Sequence, residues 1–234
     1  DYDGIISAEL PFARHDEHPR VTVPAGFVAV IVGAGVSGLC AAIHFQRAGI
    51  PFEILEKSSE LGGVWRDNRY PGAGVDTPNH LYSFTFAPYD WSRYFALRGE
   101  LKEYLEHVAD KFQLRRHIRF NTTLEAADYD AATQRWRLRV TEPDGATVRR
   151  EANLVIAAVG IFNPIKMPDI AGLEQFQGPC FHTAEWRDDV ELTGKRVAII
   201  GNGASCMQTA PAIQHEVGAL TIFQRSPHWV APNA

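Results

Sequence analysis

The sequence predicts an α/β fold built from two parallel βαβ units, with a small β-meander inserted in the first. Three observations predict it. An apolar run, Phe27-Val-Ala-Val-Ile-Val32, leads directly into Gly33-Ala-Gly35-Val-Ser-Gly38. A second run, Arg196-Val-Ala-Ile-Ile200, leads into Gly201-Asn-Gly203-Ala-Ser-Cys206. Between them lie alternating segments around the turn Pro143-Asp-Gly145, the pattern of antiparallel strands. The first of these runs, Phe27–Val32, is continuous and apolar, as expected for a strand buried on both faces of a parallel sheet.

The elements follow in order. Residues 1–25 are polar and irregular, broken by Pro11, Pro19 and Pro24, and read as an N-terminal arm. Residues 26–160 form the first unit. Its helix runs from about Val36 to Ala48 and is closed by Gly49; Pro51–Glu56 is the second strand. Residues 58–97 are rich in Gly, Pro, Asn and aromatics and show no period, and a stretch of that length is usually functional. Arg98–Phe112 is an amphipathic helix with Leu101, Tyr104, Leu105, Val108 and Phe112 on one face. Ile118–Asp128, Trp136–Thr141 and Thr147–Glu151 make the meander, and Asn153–Gly160 returns as a buried strand. Residues 161–192 are a linker. Residues 193–234 open the second unit, with a helix to about Val217 and a strand over Ala219–Phe223.

Composition narrows the function. With 234 residues, 45% hydrophobic and 22% charged, the chain can bury a sizeable core. A net charge of -5 argues against nucleic-acid binding, which needs a basic surface. The clusters Arg115, Arg116, Arg119 and Arg149, Arg150 flank strands and read as solvated faces. No apolar run reaches the ~18–20 residues of a membrane span, and the Asp1-Tyr-Asp-Gly4 segment has neither the basic nor the apolar region of a signal peptide, so a cytoplasmic location is expected. Cys40, Cys180 and Cys206 are far apart with no CxxC, which supports neither a zinc site nor a redox pair.

Each glycine turn carries chemistry. Gly33 permits the tight turn, Gly35 lets backbone N–H groups approach a pyrophosphate, and Gly38 lets helix and strand pack closely. The anion then sits at the helix N-terminus, where unpaired N–H groups and the helix dipole favour negative charge. Glu56 ends the second strand, where a carboxylate can accept from ribose hydroxyls. In the second unit Gly201 and Gly203 repeat the first two positions, Cys206 replaces the third glycine, and helix–strand packing is expected to be looser there. Its second strand ends at Arg225 and Ser226. A guanidinium binds a 2′-phosphate that a carboxylate repels, so the first site should prefer a 2′-hydroxyl dinucleotide such as FAD and the second NADPH. Arg225 as a plain surface charge is the alternative. Asp76, alone in a glycine-rich stretch, reads from its context more readily as a turn or cap residue than as a functional one. His182 and Trp186, four apart, read equally as a packed pair on a linker turn, and no ligand set around His182 supports a metal.

Taken together, Gly33–Gly38, Gly62-Gly63-Val64-Trp65, Phe176-x-Gly178-x-x-x-His182-x-x-x-Trp186 and Gly201–Ser205 resemble the Baeyer–Villiger monooxygenases. Tyr70-Pro-Gly-Ala-Gly-Val-Asp76 and Gln224-Arg225-Ser226-Pro look closest to the 4-hydroxyacetophenone monooxygenase branch. The likeness covers residues 26–232. It implies Rossmann-like FAD and NADPH units and a reaction in which NADPH reduces FAD, O2 adds to the reduced flavin, and a ketone becomes an ester or lactone. It also implies that Asp76 orients an arginine near the flavin and that Trp65 and Tyr82 contact the flavin. Leu124 would offer a backbone contact to the adenine end. The cofactor-contacting set is completed by Lys57, Gly63, Val64, Ala204, Ser205 and Gln208. Phe176, Gly178, His182 and Trp186 are implied to couple domain movement to NADPH, with His182 not a general base. Related N- and S-oxidising flavoproteins usually carry Phe or Tyr at the position of Trp186, and Arg187 departs from the Pro or Asp common after that Trp.

No arginine in residues 1–234 matches the catalytic arginine's motif, so the chain is expected to be the N-terminal part of a larger enzyme, inactive alone. The expected partners are a small ketone and O2, with no nucleic acid and no membrane, and a homo-oligomer stays open. A flavin-dependent N- or S-oxygenase and a non-catalytic nucleotide-binding fragment are the alternatives.

Overall fold

A computed structural model describes residues 20–162 and 165–229. Most of the expected N-terminal arm lies outside the described residues. The chain divides into two compact units: Asp1–Arg66, Tyr82–Asp90 and Lys102–Asn163 in one, Asp67–Leu81, Trp91–Leu101 and Pro164–Ala234 in the other.

The first unit is organised around a four-stranded parallel sheet. Its strands are β1 (Ala29–Val32), β2 (Phe52–Leu55), β3 (Ile118–Arg119) and β7 (Leu154–Ala157), in the order β3-β2-β1-β7. β1 is central, pairing with β2 and β7 in parallel, and Ala29, Val30 and Ile31 are fully buried. That explains an apolar run without alternation: side chains on both faces meet protein. Helix α1 (Val36–Ala48) is the crossover from β1 to β2 and buries Gly38, Leu39, Ala42 and Ile43, a stripe at helical spacing. Gly49, at φ 75°, ends it, and the Ile50 N–H closes on Phe45 O at 2.9 Å. A short helix, α2 (Val64–Asp67), follows β2, and helix α3 (Arg98–Lys111) buries Leu101, Tyr104, Leu105 and Val108.

The meander comprises β4 (Thr123–Asp130), β5 (Arg135–Thr141) and β6 (Thr147–Ala152), all antiparallel. Its inner face brings Leu138, Val140 and Ala152 onto Val30 and Leu55 of the parallel sheet. The segment expected as one strand over Ile118–Asp128 is two. Asn121 takes φ 52°, its N–H bonds Ser58 O, and Thr122 N–H bonds Glu56 O, so the chain leaves β3 after two residues and restarts in the other sheet. A run of alternating residues cannot show that its two halves serve different sheets. Of the arginine clusters, Arg115, Arg116, Arg119 and Arg149 are exposed as expected, and three members also form ion pairs: Arg115 meets Asp110, Arg119 meets Glu142, and the half-buried Arg150 meets Glu53 and Glu142.

The second unit contains β8 (Arg196–Ile200), helix α4 (Ala204–Ile213) and β9 (Ala219–Phe223), with β8 and β9 parallel and in register from Arg196↔Ala219 to Ile200↔Phe223. The helix is shorter than the expected span to Val217. It ends at Ile213, and turns bonding Glu216 and Val217 N–H to Ile213 O carry the chain to Gly218. Among the described residues no helix is long and apolar enough to cross a membrane.

Candidate functional site

In the first unit β1 delivers the chain into a turn whose glycines are fixed by close approach. A Cβ on Gly33 would stand 2.6 Å from Ala158 O, and one on Gly38 would stand 1.9 Å from Gly33 O. No side chain caps α1 at Gly35, and its first turn holds no acid. The amides at the start of α1 therefore face outward with the positive end of the dipole behind them, the geometry that receives a phosphate. Glu56 lies beneath this turn, 6% exposed, with Oε2 accepting from Ala34 N at 2.7 Å and Oε1 from Ser58 N at 2.8 Å. A carboxylate oxygen has more than one acceptor position, so capacity remains for a ribose hydroxyl. Lys57 beside it is exposed.

Trp65 and Tyr82, 17 residues apart, come together. The Trp65 indole N–H donates to the Tyr82 hydroxyl at 3.1 Å, and the rings meet edge-on at 5.6 Å. Burial pushes the Tyr82 hydroxyl's pKa upward, against the opposing hydrogen bond from Trp65. Gly63 and Val64 start the short helix that carries Trp65. Leu124 sits at the β-bulge of the meander, paired with Val140 and packed on the Val30 cluster.

The second unit repeats the first arrangement. Gly203 is the N-cap residue just before α4, again with no side-chain cap and no acid in the first turn, so Ala204 and Ser205 present free amides. Cys206 is 5% exposed, so this helix and strand accommodate the side chain that Gly38 excludes in the first unit. Arg225 and Ser226 follow β9 and are exposed. Asn202, in the glycine turn, donates to Gln224 Oε1 at 2.9 Å and Ser226 O at 2.8 Å, fixing that segment beside the turn. Sequence reasoning missed Asn202; a side-chain amide inside a glycine turn was the available signal.

The loop 67–81 belongs to this second unit. Gly72, at φ 79°, lies directly on α4: a Cβ there would stand 2.4 Å from Gln208 O. The buried Asn79 holds the loop's far side, donating to Arg93 O at 2.6 Å and accepting from Ala96 N at 2.8 Å. Gln208, expected to touch cofactor, bonds this loop, including Asp76. Asp76 itself is exposed.

In the linker the Phe176 ring lies on Gly178, where a Cβ would come within 2.7 Å of it, which accounts for the Phe-x-Gly spacing. His182 Nδ1 accepts from Ala184 N at 3.1 Å, opening a turn of 3-10 helix over Thr183–Glu185. Trp186 then packs edge-on to Phe181 at 5.4 Å. His182 and Trp186 are thus joined by a local turn rather than by ring contact.

The flavin-binding monooxygenase-like family profile matches residues 26–233. The chain belongs to this family. A flavin-binding monooxygenase-like relative from Streptomyces coelicolor, named a Baeyer–Villiger monooxygenase, is 45% identical over 227 residues, covering 94% of this chain and 41% of the relative. Among solved structures, cyclohexanone monooxygenase from Rhodococcus sp. Phi1 bound to NADP+ is 37% identical with TM-score 0.76, over 88% of this chain and 40% of that one. OTEMO in complex with FAD and NADP is 34% identical with TM-score 0.79, over 90% and 41%. This flavin-binding monooxygenase-like chain therefore spans about two fifths of the length of these relatives.

Proposed function

We propose that the protein carrying this chain is an FAD- and NADPH-dependent monooxygenase that places one oxygen atom of O2 beside a ketone carbonyl, giving an ester or lactone. The observation that carries the reading is a pair of uncapped helix N-termini behind glycine turns, one backed by the buried Glu56 and the other flanked by the exposed Arg225. A carboxylate suits ribose hydroxyls and a guanidinium suits a 2′-phosphate, so the two units select different dinucleotides. The Baeyer–Villiger name of the Streptomyces relative supports a ketone as substrate.

The residues divide the work by chemistry. In the first unit the amides at the start of α1 would hold the FAD pyrophosphate and Glu56 the ribose, while Trp65 and Tyr82, locked by their hydrogen bond, offer a rigid aromatic surface. In the second, Gly203–Ser205 would hold the NADPH pyrophosphate, and Arg225 with Ser226 the 2′-phosphate. Bound FAD supplies the redox chemistry that passes electrons from NADPH to O2. Asp76 offers a carboxylate to orient a cationic partner. His182 has its Nδ1 engaged by the Ala184 N–H, which suits a hinge role in the linker rather than proton transfer.

The test uses the complete protein loaded with FAD, supplied with NADPH, 18O2 and matched panels of ketones, sulfides and tertiary amines. The proposal expects an ester or lactone carrying one 18O atom. Oxidised sulfides or amines with ketones untouched would replace it with an N- or S-oxygenase. Label in no product would leave a nucleotide-binding protein without oxygenase activity.

A further inference from the structure

The Gln208 side chain makes more specific contacts than its place in a helix requires. Its Nε2 donates to Asp76 Oδ1 at 2.6 Å and to Gly74 O at 3.0 Å. Its Oε1 accepts from the Tyr70 hydroxyl at 2.9 Å and from Gly74 N at 3.3 Å. Two donors and two acceptor positions are the whole capacity of an amide, and protein groups fill all of them. The orientation is fixed by chemistry: Gly74 N can only donate, and Gly74 O and the Asp76 carboxylate can only accept. A flipped amide would lose three of the four bonds.

Gln208 stands one turn inside α4, behind the uncapped N-terminus at Gly203. The loop it grips also rests on the same helix through Gly72. A ligand that orders the first turn of α4 therefore acts on the residue that holds Asp76, through one turn of rigid helix. We propose that Gln208 is a positioning residue that couples dinucleotide occupancy of the second unit to the placement of Asp76. This rests on the second unit being the NADPH site. By linkage, whatever steadies Asp76 through Gln208 also strengthens dinucleotide binding. Tyr70 and Asp76 are the titratable groups hydrogen-bonded to the amide.

Hydrogen–deuterium exchange on the complete protein tests this, with NADP+ as the probe at concentrations saturating each variant. In the unaltered protein NADP+ should slow exchange over residues 203–209 and, by about fivefold or more, over residues 70–76. In Gln208→Leu the first protection should remain and the second should vanish. Gln208→Glu separates positioning from mere packing. Near neutral pH the introduced carboxylate faces that of Asp76, and loop protection should be lost. In acid the introduced carboxyl, once protonated, donates its single O–H to Asp76 Oδ1 while its other oxygen still accepts from Tyr70 and Gly74 N, and protection should return.

If Gln208→Leu fails to fold, the pH response of Gln208→Glu decides alone. Loop protection by NADP+ that survives in either variant at neutral pH overturns the proposal, as does a Gln208→Glu loop that stays unprotected in acid. Absence of protection at 203–209 in the unaltered protein instead overturns the NADPH reading beneath it.

Discussion

Gly35 and Gly63 lie backbone to backbone: a Cβ added at Gly63 would stand 3.2 Å from the Gly35 Cα. The glycine turn after β1 and the glycine pair before Trp65, 28 positions apart in sequence, therefore form one surface built without side chains. A surface of that kind admits a flat or phosphate-bearing group at backbone distance. Gly63 also takes φ 54°, where an alanine costs roughly 1–2 kcal/mol. Gly63→Ala should thus yield a protein that folds with a modestly lower melting temperature and retains less FAD after gel filtration. The flavin absorbance per protein is the measurement, and full FAD occupancy would remove Gly63 from the binding surface.

Gly38, inside the first turn of α1, and Gly203, just before α4, predict opposite responses to alanine. A Cβ on Gly38 collides with Gly33 O at 1.9 Å, a backbone atom that cannot step aside. Gly203 has nothing within 4 Å of an added Cβ and takes φ -75°, open to any residue. Gly38→Ala should cost the fold about 3 kcal/mol or more, as severe overpacking does. Gly203→Ala should leave melting nearly unchanged and weaken NADP+ by about tenfold or more, since the methyl occupies the ground where the anion approaches. Thermal melts and NADP+ titrations of both variants separate the two effects. Equal destabilisation would show that Gly203 is there for packing.

Arg225 is exposed at the end of β9, and Asn202 holds the neighbouring Gln224 and Ser226. A charge-assisted bond to a 2′-phosphate contributes ~1.5–3 kcal/mol, so Arg225→Ala should weaken NADPH by about 10–100-fold. NADH lacks that phosphate and should be little affected. Equal losses for both dinucleotides would assign Arg225 to something other than the phosphate.

The parallel strands are legible in the sequence because β1 and β8 announce themselves twice, by unbroken apolar runs and by glycines at fixed spacing. The amphipathic stripe of α3 is equally readable from Leu101, Tyr104 and Val108. Residues 118–123 are not: the change of sheet depends on Asn121 adopting a positive φ and on bonds to Ser58 and Glu56, partners more than 60 positions away. The aperiodic stretch 58–97 stands out by its composition, yet its order comes from side chains reaching distant elements. Gln208 meets Asp76 across 132 positions, and Asn79 meets Ala96 across 17. Local pattern holds no record of such pairings. Cys206 in place of glycine suggests a looser contact, and its side chain is buried where the first unit admits no Cβ.

Tyr104 provides a pH test of the first unit. Its hydroxyl, within a nearly fully buried side chain, accepts from Phe84 N at 2.8 Å and donates to Ala87 O at 3.1 Å, pinning the segment 84–87 to α3. Desolvation is the largest cause that raises its pKa from 10.0 to about 12, with the Phe84 hydrogen bond opposing and the Cys40 charge adding. A raised folded value means that the unfolded chain ionises first. Below pH 10 both states are protonated and the stabilisation is intact; it is lost progressively as pH rises from 10 toward 12. Tyr104→Phe removes this titration but leaves the Phe84 N–H without its acceptor, at a cost of about 1–3 kcal/mol. Urea denaturation should therefore show the variant less stable near neutrality, with a shallower decline above pH 10 than the unaltered protein. Parallel declines would mean that other groups carry the alkaline loss and that the Tyr104 hydroxyl ionises without breaking its contacts.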